Sequence, residues 1–294
     1  MLFACQTALA QGLFLTVKPS KGLDTIDLSV AQSKITKSVK LTQHYGQIDT
    51  SDLKMTSCDF EKDANAMVLF DVGTVTFSFF GRSLERNTRI KILTEKGKEY
   101  ANVKLAYHNF NGFEQITQLE AETINFENGK IEISKVDPAL FYKQQTDKDK
   151  DAVIFTFPNV KAGSVIECHY IITHSLFSNF PAWNFQNEIP TRYSQLNVFF
   201  DKSLKFKSLI KIRQNFAIDT TIASGHIWAM ANLPAYKKEV YMRAHEDGLQ
   251  SLSLILSQIT AKGEDKPINE SWFSVGKELS AEKDYMTVRY LSYL

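Results

Sequence analysis

Residues 153–173 read VIFTFPNVKAGSVIECHYIIT. Two apolar runs rich in β-branched residues flank the connection Pro158-Asn159-Val160-Lys161-Ala162-Gly163. Turn residues between two such runs predict a β-hairpin. The second run contains Cys168-His169, and a thiol beside an imidazole suggests nucleophilic chemistry. Strand geometry removes that suggestion, because successive side chains point to opposite faces. Cys168 shares a face with Ile166, Tyr170 and Ile172, and is expected in the core as a small hydrophobe. His169 falls on the face of Glu167 and Ile171, where a sheet-surface position is expected.

Outward from this stretch the same pattern recurs. Ala66–Val72 and Thr74–Phe80 read as strands turned at Gly73. Thr88–Leu93 and Tyr100–Tyr107 read as a pair joined at Glu95-Lys96-Gly97-Lys98. Ile116–Phe126 and Lys130–Val136 are joined by Asn128-Gly129, the strongest two-residue hairpin signal, since a type I′ turn needs positive φ at both positions. Asp137-Pro138 opens a short helical turn over Ala139–Tyr142. Residues 144–151 read as a charged, solvated loop. Strands are expected again at Thr191–Phe200, Phe206–Arg213, Gly225–Ala231, Lys238–Arg243 and Leu249–Ile259. Closely spaced strands with short turns predict a mainly β fold, a large antiparallel β-sandwich, rather than a βαβ fold. Before this series, Gly46–Thr56 predicts a short helix capped by Thr50 or Ser51, with Asp52 in its first turn. After it, Gly263-Glu264-Asp265-Lys266-Pro267 reads as a break.

The expected organisation is therefore an export-signal remnant at 1–12, a β-sandwich domain at 13–262 and short helices at 263–294. The opening MLFACQTALAQG has an apolar run ending in Ala8-Leu9-Ala10, an A-x-A cleavage pattern with no basic region before it. That predicts an exported protein, periplasmic or extracellular. Leu2-Phe3-Ala4-Cys5 also resembles a lipoprotein cleavage box, so anchoring through Cys5 is the variant of this expectation. No later apolar run approaches the roughly 20 residues a membrane helix needs.

The 294 residues carry 34 Lys and Arg against 33 Asp and Glu, a net charge of +1. A nucleic-acid partner would call for a basic excess, and none is present. Cys5, Cys58 and Cys168 form no CxxC pair, which excludes a zinc ribbon by motif. The six histidines make no HxH, HxxxH or HExxH spacing, so no metal is expected. No P-loop or GxGxxG appears, and no cofactor is expected. Cys58 has no local base. Ser208-Leu209-Ile210-Lys211 fits S-x-x-K but lies in a predicted strand instead of at a helix start. Glu120 and Glu122 share a strand face, and are expected to be solvated. An independent hydrolase would have little else to rest on. The aromatic group Phe177, Phe180, Trp183 and Phe185 is the candidate ligand or docking surface. Its rings would stack on a glycan or grip a peptide if exposed, and plug the open end of the sandwich if buried.

Several stretches together carry a resemblance. Asp63–Ala66 runs into Val68–Gly73, followed in order by Arg89–Gly97, Ala121–Lys130, Phe157–Glu167, Trp183–Gln186 with Ile189-Pro190, and Asn232–Ala235. Over about residues 45–260 these resemble the domain of unknown function that precedes a transglutaminase-like domain in exported bacterial proteins. The matching positions are structural: turn glycines, prolines at strand ends and apolar strand residues. The resemblance implies that the catalytic Cys, His and Asp belong to the transglutaminase-like domain. It carries no catalytic residue onto this chain, which stops at Leu294, about where that domain would begin. The implied function is a non-catalytic, exported β module that docks to a transglutaminase-like cysteine enzyme domain or protein, or presents substrate to it. The alternatives are a stand-alone glycan- or peptide-binding module and an independent peptide or glycan hydrolase.

Overall fold

A computed structural model of the chain describes residues 44–109, 112–176, 180–237, 245–261 and 263–268, with Gly276 and Ser280. Strands dominate it. In chain order they are β1 (Ala66–Ser78), β2 (Gly81–Ile92), β3 (Asn102–His108), β4 (Glu114–Glu127), β5 (Lys130–Lys135), β6 (Tyr142–Asp147), β7 (Lys150–Thr156), β8 (Val165–His174), β9 (Trp183–Asn184), β10 (Thr191–Phe200), β11 (Leu204–Lys211), β12 (Ile218–Ile222), β13 (Gly225–Leu233), β14 (Ser251–Ala261) and β15 (Glu264–Pro267). A five-residue helix, α1 (Thr50–Lys54), precedes them.

Three sheets form among the described residues. The large one runs β12-β13-β10-β1-β2-β8-β4-β5. A second contains β11, β14 and β15, with β9 paired to β14, and a third runs β3-β7-β6. Pairing is antiparallel except for β1 beside β10, which is parallel from Val68↔Thr191 to Phe77↔Phe200. A parallel neighbour needs a crossover, and here the whole run from β2 to β9 supplies it.

Both small sheets pack on one face of the large sheet. Ile166, Cys168, Tyr170 and Ile172 of β8 meet Tyr107, Val153, Phe155 and Phe157 from the β3-β7-β6 side. Val75, Phe77, Leu196, Val198, Trp228 and Met230 meet Leu252, Leu254 and Leu256 from β14. Each large side chain buried there contributes about 1.5–3 kcal/mol. The opposite face holds Met67, Leu69, Ile124 and Val165 under Leu53 and Cys58, in residues that precede β1.

The stretch at 153–173 is not a hairpin. β7 lies in the three-stranded sheet and β8 pairs with β2 and β4 in the large one. The connection Phe157–Ser164 steps between layers. Phe157 is buried and its N–H donates to Ala101 O at 2.9 Å. Gly163 N–H donates to Ile92 O at 2.9 Å. Eight residues exceed the two to five of a hairpin loop and are ample to cross between layers about 10 Å apart. The pair predicted at Glu95–Lys98 splits in the same way, since β2 and β3 belong to different sheets and a 3-10 turn over Glu95–Ala101 joins them.

Other differences are local. Gly73 does not turn the chain but lies inside β1, and the turn falls at Phe79-Phe80. Residues 144–151 form the β6–β7 hairpin instead of a loop. The predicted break at 263–267 is strand β15, paired with β14. The cap of α1 is Asp49 instead of the predicted Thr50 or Ser51. The Asn128-Gly129 hairpin forms as read, with φ of +50° and +78° and Glu127↔Lys130 closing it. The strand predicted at Lys238–Arg243 lies outside the described residues, as do most of 263–294 and all of 1–12.

Candidate functional site

A polar seam crosses the packed face of the large sheet, between the cores under the two small sheets. Its base is Asp71 on β1, 1% exposed. Alternation puts Asp71, Thr88 and Arg86 on this face, and the register sets Asp71 opposite Thr88 and Arg86 opposite Tyr170. Arg86 donates from Nε to Asp71 Oδ1 at 2.8 Å and from Nη2 to Oδ2 at 2.6 Å. Thr88 Oγ1 donates to the same carboxylate at 3.0 Å, and Arg86 Nη1 reaches Tyr170 Oη at 3.4 Å. Burial opposes the charge on Arg86, but the Asp71 carboxylate outweighs it and holds the guanidinium above the usual arginine range.

Trp183 completes the seam. Its ring lies 4.8 Å from the Arg86 guanidinium and its Nε1 donates to Ser194 Oγ at 3.2 Å. The ring reaches β1 because position 73 is glycine: a Cβ there would lie 2.5 Å from a Trp183 ring carbon. Glycine inside a strand commonly marks such a close approach.

Beside this group opens a recess of about 200 Å³, lined by Arg86, Trp183, Asn184, Gln186, Asn187 and Glu188. Its wall is fixed. Gln186 Nε2 donates to Pro234 O at 2.8 Å, and its Oε1 accepts from Arg213 at 2.9 Å. Asn187 Nδ2 donates to Thr191 Oγ1 at 3.0 Å. The recess offers hydrogen-bond donors and acceptors and a paired cation, with no thiol or imidazole in its lining.

The predicted aromatic surface has a different placement. Phe180, Trp183 and Phe185 are 7%, 4% and 0% exposed and pack in the core beneath β14, with Phe180 edge-on to Phe77. Phe180 and Phe185 offer no surface, since their rings fill the space between sheets. Trp183 alone borders the recess. Phe177 lies outside the described residues.

Cys168 and His169 diverge as strand alternation requires. Cys168 is buried and burial pushes its thiol up to about 12. His169, on the other face, has Nε2 3.0 Å from Glu85 Oε1. Cys58 is 1% exposed and its thiol is likewise raised by burial. Among the described residues no three His, Cys, Asp or Glu side chains gather as metal ligands.

Two polar groups were not foreseen from sequence. On the opposite face of the sheet, beneath the residues that precede β1, Arg89 and Glu167, both fully buried, pair at 2.9 Å. Arg89 also donates to Gln47 O at 2.8 Å, and Glu167 accepts from Gly46 N–H at 3.3 Å. Glu122, expected in solvent, is 2% exposed and sits opposite Glu167. Lys91 Nζ donates to Leu53 O at 2.7 Å and Gly163 O at 2.5 Å, and burial lowers its pKa to about 8. These residues fasten residues 46–53 to the sheet. At the far edge, His226 stands 2.6 Å from Asp219 and 3.1 Å from Thr221, stacked on Trp228 at 4.0 Å. This has the order of a catalytic triad, but Thr221 and Asp219 are exposed on strand β12, without the enclosed setting that makes such groups catalytic.

No curated protein matches the chain. A "putative protease" from Parabacteroides distasonis is similar over 78% of this chain, at 12% identity and a TM-score of 0.58. The chain spans 46% of that protein's length. Yeast LTA4 hydrolase is similar over 72% of this chain and 32% of its own, at 12% identity and a TM-score of 0.34. An M1 zinc metallopeptidase from Deinococcus radiodurans is similar over 65% and 42%, at 11% identity and a TM-score of 0.32. The family model for DUF3857, described as a domain of unknown function with a solved structure, matches residues 82–237, which include Arg86, Trp183 and the recess wall. The chain belongs to the DUF3857 family of domains of unknown function.

Proposed function

We propose that this chain is a non-catalytic, exported β module that docks to a transglutaminase-like cysteine enzyme domain and presents substrate to it. The recess at the seam is the observation that carries this reading. Its charged base is already paired, its wall is held by hydrogen bonds, and its lining holds no nucleophile and base in contact. Such a recess favours holding a ligand over transforming it. The similar fold in the Parabacteroides distasonis protein occupies less than half of that longer chain, which supports a module working beside another domain.

The test is reconstitution. The chain and a transglutaminase-like domain from the same genome are purified separately, and association is followed by sedimentation while turnover of a peptide substrate is measured. A complex that lowers KM for the peptide supports the reading. Turnover of the peptide by the chain alone would overturn it in favour of a hydrolase.

A further inference from the structure

We propose that the turn between β1 and β2, Phe79-Phe80, is the docking anchor of this chain, a rigid apolar knob that enters an uncharged, apolar hollow on the partner enzyme domain. This rests on the docking role proposed above and names the surface that carries it. Phe80 is 87% exposed, Phe79 50% and Leu176, in the segment after β8, 46%. Turn positions ordinarily hold Gly, Asn, Asp, Ser or Pro, each for a backbone reason. Two phenylalanines bring no such reason, and Phe80 adds almost nothing to the core. Their rings meet edge-on, with centroids 6.1 Å apart.

The knob is held in place. Ser78 Oγ accepts from Phe80 N–H at 3.3 Å and donates to Gly81 O at 3.1 Å. Gly81 has a φ of +132°, and a Cβ there would lie 2.2 Å from His174 O, so the turn is seated against the end of β8. On the β10 side, Asp201 N–H donates to Phe77 O at 3.0 Å. A side chain fixed before binding loses little freedom on docking.

Charge separates the possible occupants. Ser78–Gly81, Ser175-Leu176 and the neighbouring Gly112-Phe113 carry no Lys, Arg, Asp or Glu. Beneath them Arg82 and Glu114 are buried and bonded to each other at 2.9 Å. Burial pulls the His174 imidazole down, so it is neutral at pH 7. Depletion of charge around a large aromatic side chain marks the core of a protein interface. A bilayer surface is reached through Lys and Arg beside the apolar group, and here Lys202 stands next to Asp201. The recess that a second copy would offer, beside Trp183, is lined mainly by polar side chains.

Calorimetry of the whole chain with a transglutaminase-like domain from the same genome tests this, using the wild type, F80S, F80L and L209S. F80S is expected to weaken association at least about tenfold, as loss of an interface anchor does, with an unchanged circular dichroism spectrum and urea midpoint. F80L keeps an apolar side chain and is expected to recover most of the affinity. L209S, which removes a side chain 62% exposed on β11, is expected to bind as the wild type does. Equal binding of the domain by wild type and F80S would overturn the inference and leave docking standing. Phe80-dependent sedimentation with phosphatidylcholine–phosphatidylglycerol vesicles, or Phe80-dependent self-association, would overturn it by giving the knob another occupant. No binding of the wild-type chain to the domain would overturn docking and the inference together.

Discussion

Asp71 and Arg86 lie on neighbouring strands, two N–H···O bonds of 2.8 and 2.6 Å joining them at the seam between three sheets. The carboxylate is 1% accessible and the guanidinium side chain 30%. The pair therefore has a buried end that fixes it and an accessible end that faces the recess.

That asymmetry sets the cost of breaking it. Removing one member of a fully buried pair costs about 3–5 kcal/mol, because the other charge is left without a partner. Arg86 keeps some contact with water, so D71A is expected to cost somewhat less, about 2–3 kcal/mol. The double variant D71L/R86M removes both charges and should be less destabilised than D71A. Urea denaturation of the three proteins checks the order, and a double variant weaker than D71A would refute it.

Gly73 predicts a packing defect with an optical signature. G73A places a methyl group where the Trp183 ring lies. Overpacking of this kind costs about 1–3 kcal/mol. Trp183 must move off Arg86 and lose its bond to Ser194, so the near-ultraviolet circular dichroism of tryptophan should change. An unchanged spectrum with unchanged stability would show that the ring does not rest on this glycine.

Lys91 predicts a pH dependence of definite sign. Its pKa falls to about 8 in the folded chain through burial, against about 10.4 when exposed. Between these values the unfolded chain binds more protons, so this lysine's contribution to stability rises with pH. The stability of the wild type relative to K91M should increase from pH 8 to pH 10. A difference that stays flat or falls would place Lys91 in a more solvated site.

Cys168 predicts the opposite slope and low reactivity. Burial raises its thiol to about 12, so the unfolded chain ionises first, above pH 8.5. Its contribution to stability is complete below that pH and is lost as pH rises toward 12. Iodoacetamide at pH 8 should leave Cys168 unmodified in native protein and label it fully in urea, as read by mass spectrometry. Rapid native labelling would contradict the core placement.

The β class and much of the strand inventory were legible because alternation and Asn128-Gly129 are local signals. Sheet membership was not. The two errors at Glu95–Lys98 and Phe157–Ser164 share one cause: a connection between layers and a hairpin turn use the same glycines, asparagines and prolines. Loop length was the available cue, and the eight residues after Thr156 carried it. The site was legible only through Trp183. Asp71 stands in an apolar run from Val68 to Val72, which is the signature of a buried charge, but its partner Arg86 is fifteen residues away on another strand. Gly73 read as a turn because a strand glycine and a turn glycine differ only in what packs against them. Glu122 read as solvated because the segment that covers it, around Tyr45 and Gly46, lies more than seventy residues before it in the chain.

The most direct test of the central claim is the affinity of this chain for a transglutaminase-like domain from its own genome, measured by calorimetry on the separately purified proteins. The account predicts saturable association of the two. No association, or peptide turnover by the chain alone, would contradict it.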